Sequence, residues 1–363
     1  MTAITLADLR RHAVARSLFT PTTLPKALAR LGFVQADPIR APARAQDLTL
    51  RHRVQGYRVG DLERRYPQLA VEEDFFVNYG FVTPELHALM QPRSALREWP
   101  AERWAQAEAV WHFVQARGEA HPREVDAHFA HGHTTNGFGG RSKASTQLLD
   151  AMHHRGLLRV ARRESGIRLY AAHRPQTTPD DVSATLDRLV DVLVMKYAPL
   201  PQPGLRQLVA MLRHAVPQWQ GQLRAALLRA TQRLPKAEVD GVRWFWPDGE
   251  DPSSRRWKTP DRVRLLAPFD PVVWDRDRFE RLWGWAYRFE AYTPPAKRLR
   301  GYYAMPLLWR DQVIGWGNLA VVDGRLRADI GYASGQAPND AGYRPALDVE
   351  LANMAAFLNV KRR

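Results

Sequence analysis

"SKASTQLLDAMHHRGLLRVARRESGIRLYAAH", residues 142–173, is a helix followed by a hairpin. Ser142 stands where an N-cap is expected and Gly156 where a helix stops. Beyond Gly156, apolar and polar residues alternate around Ser165–Gly166, which is a hairpin signal. Two helices precede it. "AERWAQAEAVWHFVQAR" (101–117) is amphipathic, and "HPREVDAHF" (121–129) is a short helix behind a proline. Three helices and then a hairpin is the order of a winged helix-turn-helix, whose third helix enters a DNA groove while the wing touches backbone.

Working outward, the same element order recurs. "TPDDVSATLDRLVDVLVMKYA" (178–198), "GLRQLVAML" (204–212) and "QWQGQLRAALLRATQRL" (218–234) lead to a Gly-turned hairpin in "AEVDGVRWFWPDG" (237–249). Toward the N-terminus, helical periodicity covers "ITLADLRRHAVARSLF" (4–19) and "LPKALARLG" (24–32). The strand-like "FVQADPI" (33–39) follows, then helical "ARAQDLTLRHRV" and "VGDLERRYP" and an extended aromatic run, "VEEDFFVNYGFVTP". The polar stretch 248–262 reads as a linker. Past it come short strands, "RVRLLAPF", "RFEAYTP", "RGYYAMPLLW", "QVIGWGNLAVV" and "RLRADIGYA", then a last helix, "RPALDVELANMAAFLNVKR", with cations in its final turn. The expectation is an α+β chain. Three tandem winged helix-turn-helix modules (1–95, 96–176, 177–250) precede a β-rich, barrel-like region with a final helix (251–363).

The 363 residues carry a formal charge of +15 and 45% apolar residues, enough for a real core. Such a basic excess is the footprint of a protein that neutralises phosphates, and nucleic acid leads membrane surfaces as the partner. Neither a signal-peptide core nor an apolar run long enough to span a bilayer is present, so a cytoplasmic protein is expected. With no cysteine, thiolate chemistry and Cys-containing zinc sites are excluded. His131 and His133 in "HGH" and the pair His153–His154 lack carboxylates at ligand spacing, so no metal and no cofactor is expected. There is no P-loop, dinucleotide fingerprint, nucleophile elbow or zincin motif. Glu72, Glu73 and Asp74 read as ordinary surface acids.

One acid stands apart. Gln35 and Asp37 lie two apart in a strand-like run, where side chains i and i+2 share a face. Alternatively, Asp37 caps its own backbone in a turn after Pro38. Asp47 is a second candidate acid, although its helical context suits a meeting with Arg44 or Arg51. The Trp-rich runs "RWFW" and "RLWGWAY" suit core packing, with base stacking as the alternative.

The chain resembles the winged-helix DNA glycosylases of the AlkZ/YcaQ type. The resemblance is carried by "LARLGFVQADPIRAPARAQDL" (28–48), by "LLAPFDPVVWDRDRFERLWGWAYRFEAYTPPAKRLRGYYAMPLLWRDQVIGW" (265–316) and, more loosely, by 142–170. It implies a monofunctional hydrolase for N-glycosidic bonds of bulky N-alkylated purines and interstrand crosslinks in double-stranded DNA, active as a monomer and without a cofactor. It makes Gln35 and Asp37 the catalytic pair: Asp37 stabilises charge and acts as base, and Gln35 orients a water. No lysine neighbours the motif in sequence, which speaks against a Schiff-base step. Phosphate contacts are expected from Arg44, Arg51, Arg53, Lys143, Arg155, Arg162, Arg163, Arg168, Lys297, Arg298 and Arg300. The chain departs from its relatives in having Gln46 and Asn78 where they tend to carry histidine, and a small Ala36 inside the motif. The competing readings are a non-catalytic winged-helix regulator and an RNA-binding protein.

Overall fold

Thr5 and Asp8 open the first helix, Leu6–Ser17, with a reciprocal cap. The Thr5 hydroxyl accepts the Asp8 N–H at 3.2 Å, and the Asp8 carboxylate accepts the Thr5 N–H at 2.9 Å. The computed structural model describes residues 3–94, 98–135, 140–173 and 179–362. By internal contacts the chain divides into two units, one of residues 1–62, 190–209 and 227–363, the other of 63–189 and 210–226.

In the first unit, the helix Leu24–Leu31 ends at Gly32, whose φ of +65° is open to glycine at little cost. The chain passes directly into the strand Phe33–Gln35, with Phe33 and Val34 buried, and later into the short helix Ala45–Leu50. Arg53, just beyond that helix, is fully buried. Its guanidinium reaches both oxygens of Asp270 at 2.8 and 3.0 Å, the carbonyls of Ser17 and Thr49, and the Ser17 hydroxyl. A buried charge is tolerable only with this complete a set of partners. Arg278 is placed the same way, donating to the carbonyls of Ala198, Pro199, Pro271 and Val272. Around them Val14, Leu18, Leu266, Val272, Phe279 and Leu308 form an apolar cluster, against which Trp283 and Trp285 pack.

The C-terminal sheet has five strands in chain order, Val263–Leu265, Met305–Trp309, Gln312–Val322, Arg325–Tyr332 and Lys361–Arg362. All pairs are antiparallel except the last. Asp323 and Gly324 both have positive φ, as a two-residue hairpin turn in a twisted sheet requires. "RFEAYTP" forms no strand. The buried Glu290 carboxylate accepts the N–H groups of Leu299, Arg300 and Gly301 at 2.8 to 3.2 Å, so a side chain replaces a neighbouring strand and the segment is a loop. The closing helix, Tyr343–Leu358, ends at Asn359 in the left-handed region, and the expected cations of its last turn, Lys361 and Arg362, fall beyond it in the short parallel strand.

The second unit contains the helices Ala101–Arg117, Pro122–Phe129 and Ala144–His154 and the hairpin of Leu158–Glu164 with Ile167–Ala172. Ser142 is not the cap of the third helix. It pairs with Thr134 in a two-stranded ladder, and the helix starts from Lys143 without a side-chain cap. Asp74, expected at the surface, is buried. Arg93 holds it through two contacts at 2.7 and 3.1 Å and His87 through one at 3.2 Å. Burial alone would raise its pKa, but these partners together hold it far below the usual carboxylate range. Asn78 lies in the turn between the paired strands Glu72–Phe75 and Tyr79–Val82. Among the described residues, no helix is long and apolar enough to cross a membrane, and no group of three His, Asp or Glu side chains is placed to hold a metal.

Candidate active site

The strand carrying the motif ends at Gln35, so Asp37 lies beyond it and the shared-face argument from strand geometry does not apply. Instead the chain turns at Pro38, and one Asp37 oxygen accepts the Ile39 N–H at 2.9 Å. The turn weighed from the sequence is therefore real. It occupies a single oxygen, and among the described residues nothing hydrogen-bonds the other. The backbone of Asp37 is fixed as well, its N–H donating at 3.2 Å to Oε1 of Gln46, a buried side chain of the helix Ala45–Leu50. Position 46 thus orients the motif, a duty that an amide oxygen or an unprotonated imidazole nitrogen can perform. Gln35 and Asp37 are each half-buried.

Burial raises the pKa of Asp37, and the Ile39 N–H only partly offsets this. In the same unit, and feeling the charge of Asp37, is Tyr303, which is 4% exposed and whose hydroxyl has no hydrogen-bond partner among the described residues. Burial, and then the negative charge of Asp37, push the Tyr303 pKa far up, so its proton stays on at any working pH. That leaves a buried, protonated hydroxyl without an acceptor among the described residues. No short-range signal in the sequence places Tyr303 here, since it lies far from Asp37 along the chain.

The sequence also concealed a lysine near the motif. Lys196 is buried, and its Nζ donates to the carbonyl of Phe33 on the motif strand. Burial lowers its pKa to about 7, with Arg53 adding to the effect. Asp47 is buried too, accepting from the Tyr57 hydroxyl at 2.7 Å and the Gly60 N–H at 3.1 Å, which makes it a structural acid.

The cations expected on DNA are placed unequally. Arg53 is a correction: with no exposed surface and every donor committed, it reaches no phosphate. Arg51 is nearly buried and paired with Glu350. Arg44 is the half-buried N-cap residue of the helix Ala45–Leu50. In the second unit, Lys143 pairs with Asp126, Arg162 with Glu119, Arg163 with Glu73 and Arg168 with Asp150. Arg155 stacks on Trp99 and Trp104, with its guanidinium carbon 4.0 and 5.2 Å from the ring centres. The loop held by Glu290 is different. Lys297 is exposed there without an ion pair among the described residues, Arg298 lies over Tyr302, Arg300 lies over Trp285, and Tyr292 and Leu299 are 82% and 78% exposed.

Residues 28–357 match the family model described as "DNA glycosylase AlkZ-like". The chain belongs to the AlkZ-like DNA glycosylase family. The solved structure of the Streptomyces sahachiroi DNA glycosylase AlkZ covers 99% of this chain and 98% of its own, with a TM-score of 0.64 and 14% identity. At that identity the likeness is one of fold. As an AlkZ-like glycosylase, the chain is a DNA N-glycosylase, a DNA-repair enzyme whose substrate is DNA. Its C-terminal signature is largely structural: Asp270 neutralises Arg53, Asp275 caps the helix Arg276–Trp283, and Arg278 gathers four carbonyls. The motif acid has no such duty for its second oxygen.

Proposed function

We propose that this AlkZ-like glycosylase, acting as a monomer, hydrolyses the N-glycosidic bond of N-alkylated purines in duplex DNA, N7-alkylguanine and its interstrand crosslinks included. Asp37 carries the chemistry and Gln35 orients the attacking water. The observation behind this is the state of Asp37, which keeps one oxygen in a turn, its backbone on Gln46, and its other oxygen unbonded in half-buried surroundings.

An N7-alkylguanine is already cationic. The C1′–N9 bond breaks with its electron pair moving to N9, which neutralises the purine and removes the need for an acid on the leaving group. The sugar left behind is oxocarbenium-like, and a carboxylate beside it stabilises the charge. Water then adds to C1′ and its proton passes to Asp37, whose burial-raised pKa makes it a better base than a free aspartate. Buried Lys196 has no route to C1′, so no Schiff base forms and the enzyme is monofunctional.

DNA is held beside Asp37 by the Glu290-clamped loop. Lys297, Arg298 and Arg300 meet phosphates, and exposed Leu299 and Tyr292 press on the bases, as apolar wedges do at kinked steps. The two sets of three helices and a hairpin have winged-helix order. The deciding experiment is release of 7-methylguanine and unhooking of a crosslinked duplex by wild type and Asp37→Asn. Wild type is expected to release base, and the variant to bind DNA equally but be slower by at least about a hundredfold. Equal rates for the two proteins would overturn the assignment.

A further inference from the structure

A cavity of about 720 Å³ lies in the first unit, away from Gln35, Asp37 and Tyr303. Four guanidiniums line it, from Arg51, Arg58, Arg262 and Arg264, against the carboxylates of Asp261 and Glu350. Both carboxylates are already engaged. Asp261 pairs with Arg310 at 2.5 Å, and Glu350 takes the guanidinium of Arg51 and the Leu265 N–H. Arg264 is left without an ion pair or a side-chain hydrogen bond among the described residues, although it is only 8% exposed and its Nη1 is wholly enclosed. Nε of Arg51 is enclosed and unbonded as well. Burial pulls the Arg264 pKa down to about 10, against the opposing charge of Glu350.

An enclosed guanidinium with no ion pair and no hydrogen-bond acceptor of its own is an unfavourable placement that a bound anion relieves. The remaining features agree. Arg58 and Arg262 are exposed at the rim with no ion pair of their own among the described residues. The first turn of the closing helix, which has no side-chain cap, forms part of the same wall and adds the positive end of its dipole. Guanidinium forks match the oxygens of a phosphate better than those of a halide.

We propose that this cavity is a second site on the enzyme, one that binds a phosphate group carried either by the DNA backbone or by a free phosphorylated small molecule. The 363-residue chain would be unfolded thermally at matched ionic strength in chloride, in inorganic phosphate and in pyrophosphate, beside Arg58→Ala/Arg262→Ala, whose two side chains are exposed. Arg264→Met serves as a second variant. It is expected to unfold at higher temperature in chloride, because it removes a desolvated charge that has no hydrogen-bond acceptor among the described residues, and to lose the response to phosphate. In parallel, the salt dependence of binding to an unmodified duplex is measured for wild type and the double variant. A slope lowered by about one to two identifies a backbone phosphate. If the slope stands, saturable protection by phosphate or pyrophosphate must weaken at least tenfold in the double variant, which identifies a free ligand. A slope that stands while protection is absent or unweakened overturns the site.

Discussion

Oε1 of Gln46 accepts the backbone N–H of Asp37 at 3.2 Å, so a buried helical side chain fixes the peptide that carries the motif acid. Removing that acceptor leaves a partly buried N–H unpaired and lets the turn drift. Small displacements of a reacting group are expensive in rate. Gln46→Ala is expected to lower kcat for base release by about ten- to a hundredfold with little change in KM. Gln46→His should restore most of it, since an imidazole nitrogen can also accept. Single-turnover release from 7-methylguanine DNA is the measurement, and equal rates for Gln46→Ala and wild type would sink the idea.

Asp37 is expected to set the acid limb of the pH–rate profile above the ordinary aspartate range, because burial raises its pKa. Its stability effect runs the other way. A carboxyl whose folded-state pKa is raised favours folding while protonated, below the unfolded value, and that contribution is lost as pH rises through the folded value. At pH 7 the folded enzyme therefore holds a desolvated charge that Asp37→Asn removes. The variant should be inactive yet unfold at the same or a higher temperature. A clear loss of Tm at pH 7 would contradict it.

Lys196 gives a second pH signature. Its folded-state pKa of about 7 lies below that of an unfolded lysine, so the unfolded chain binds more protons between those values and stability rises with pH across that window. Below pH 7 the folded protein must bury an ammonium. Lys196→Met is predicted to be more stable than wild type at pH 6, by a margin that shrinks toward pH 9. Denaturant unfolding at the two pH values tests this, and a margin independent of pH would refute it.

Leu299 protrudes from a loop whose backbone is pinned by Glu290, and Asn318 donates to the Arg300 carbonyl at 2.6 Å from the neighbouring strand. Gly301 belongs to the same device, since a Cβ there would meet the Asn318 amide at 2.3 Å. Leu299→Ala should leave Tm unchanged and slow base release from duplex several-fold. Lys297→Ala should reduce the salt slope of DNA binding by about one. Thermal unfolding and single-turnover base release check the first, and electrophoretic or fluorescence binding at several salt concentrations checks the second.

Much of the local architecture was legible in the chain. Ser165–Gly166 and Asp240–Gly241 both form the turns expected between alternating strands, because positive φ is a local demand that these residues meet cheaply. Trp244, Trp246, Trp283 and Trp285 are buried or packed against core, as their runs suggested. Ser142 and the 288–294 segment were misread for one reason. Ser142 pairs in a ladder with Thr134, and the Glu290 side chain inside the second segment accepts the N–H groups of Leu299, Arg300 and Gly301, partners that local pattern cannot name. Arg53 was misplaced because a guanidinium meant for phosphate and one meant for Asp270 look alike until Asp270 arrives from 217 positions away.

The sequence by itself determined the helices, the Gly-marked hairpins, the basic excess, the absence of thiol chemistry and the position of the Gln35–Asp37 motif. These rest on interactions within a few residues, or on composition. Only the tertiary structure decided that Asp37 stays half-buried with an oxygen unbonded while Asp74 has both oxygens engaged and Asp47 is enclosed beside Tyr57 and Gly60, that Gln46 holds the motif backbone, and which arginines are core. Those outcomes depend on desolvation and on partners brought together from distant segments, and neither quantity exists before the chain has packed.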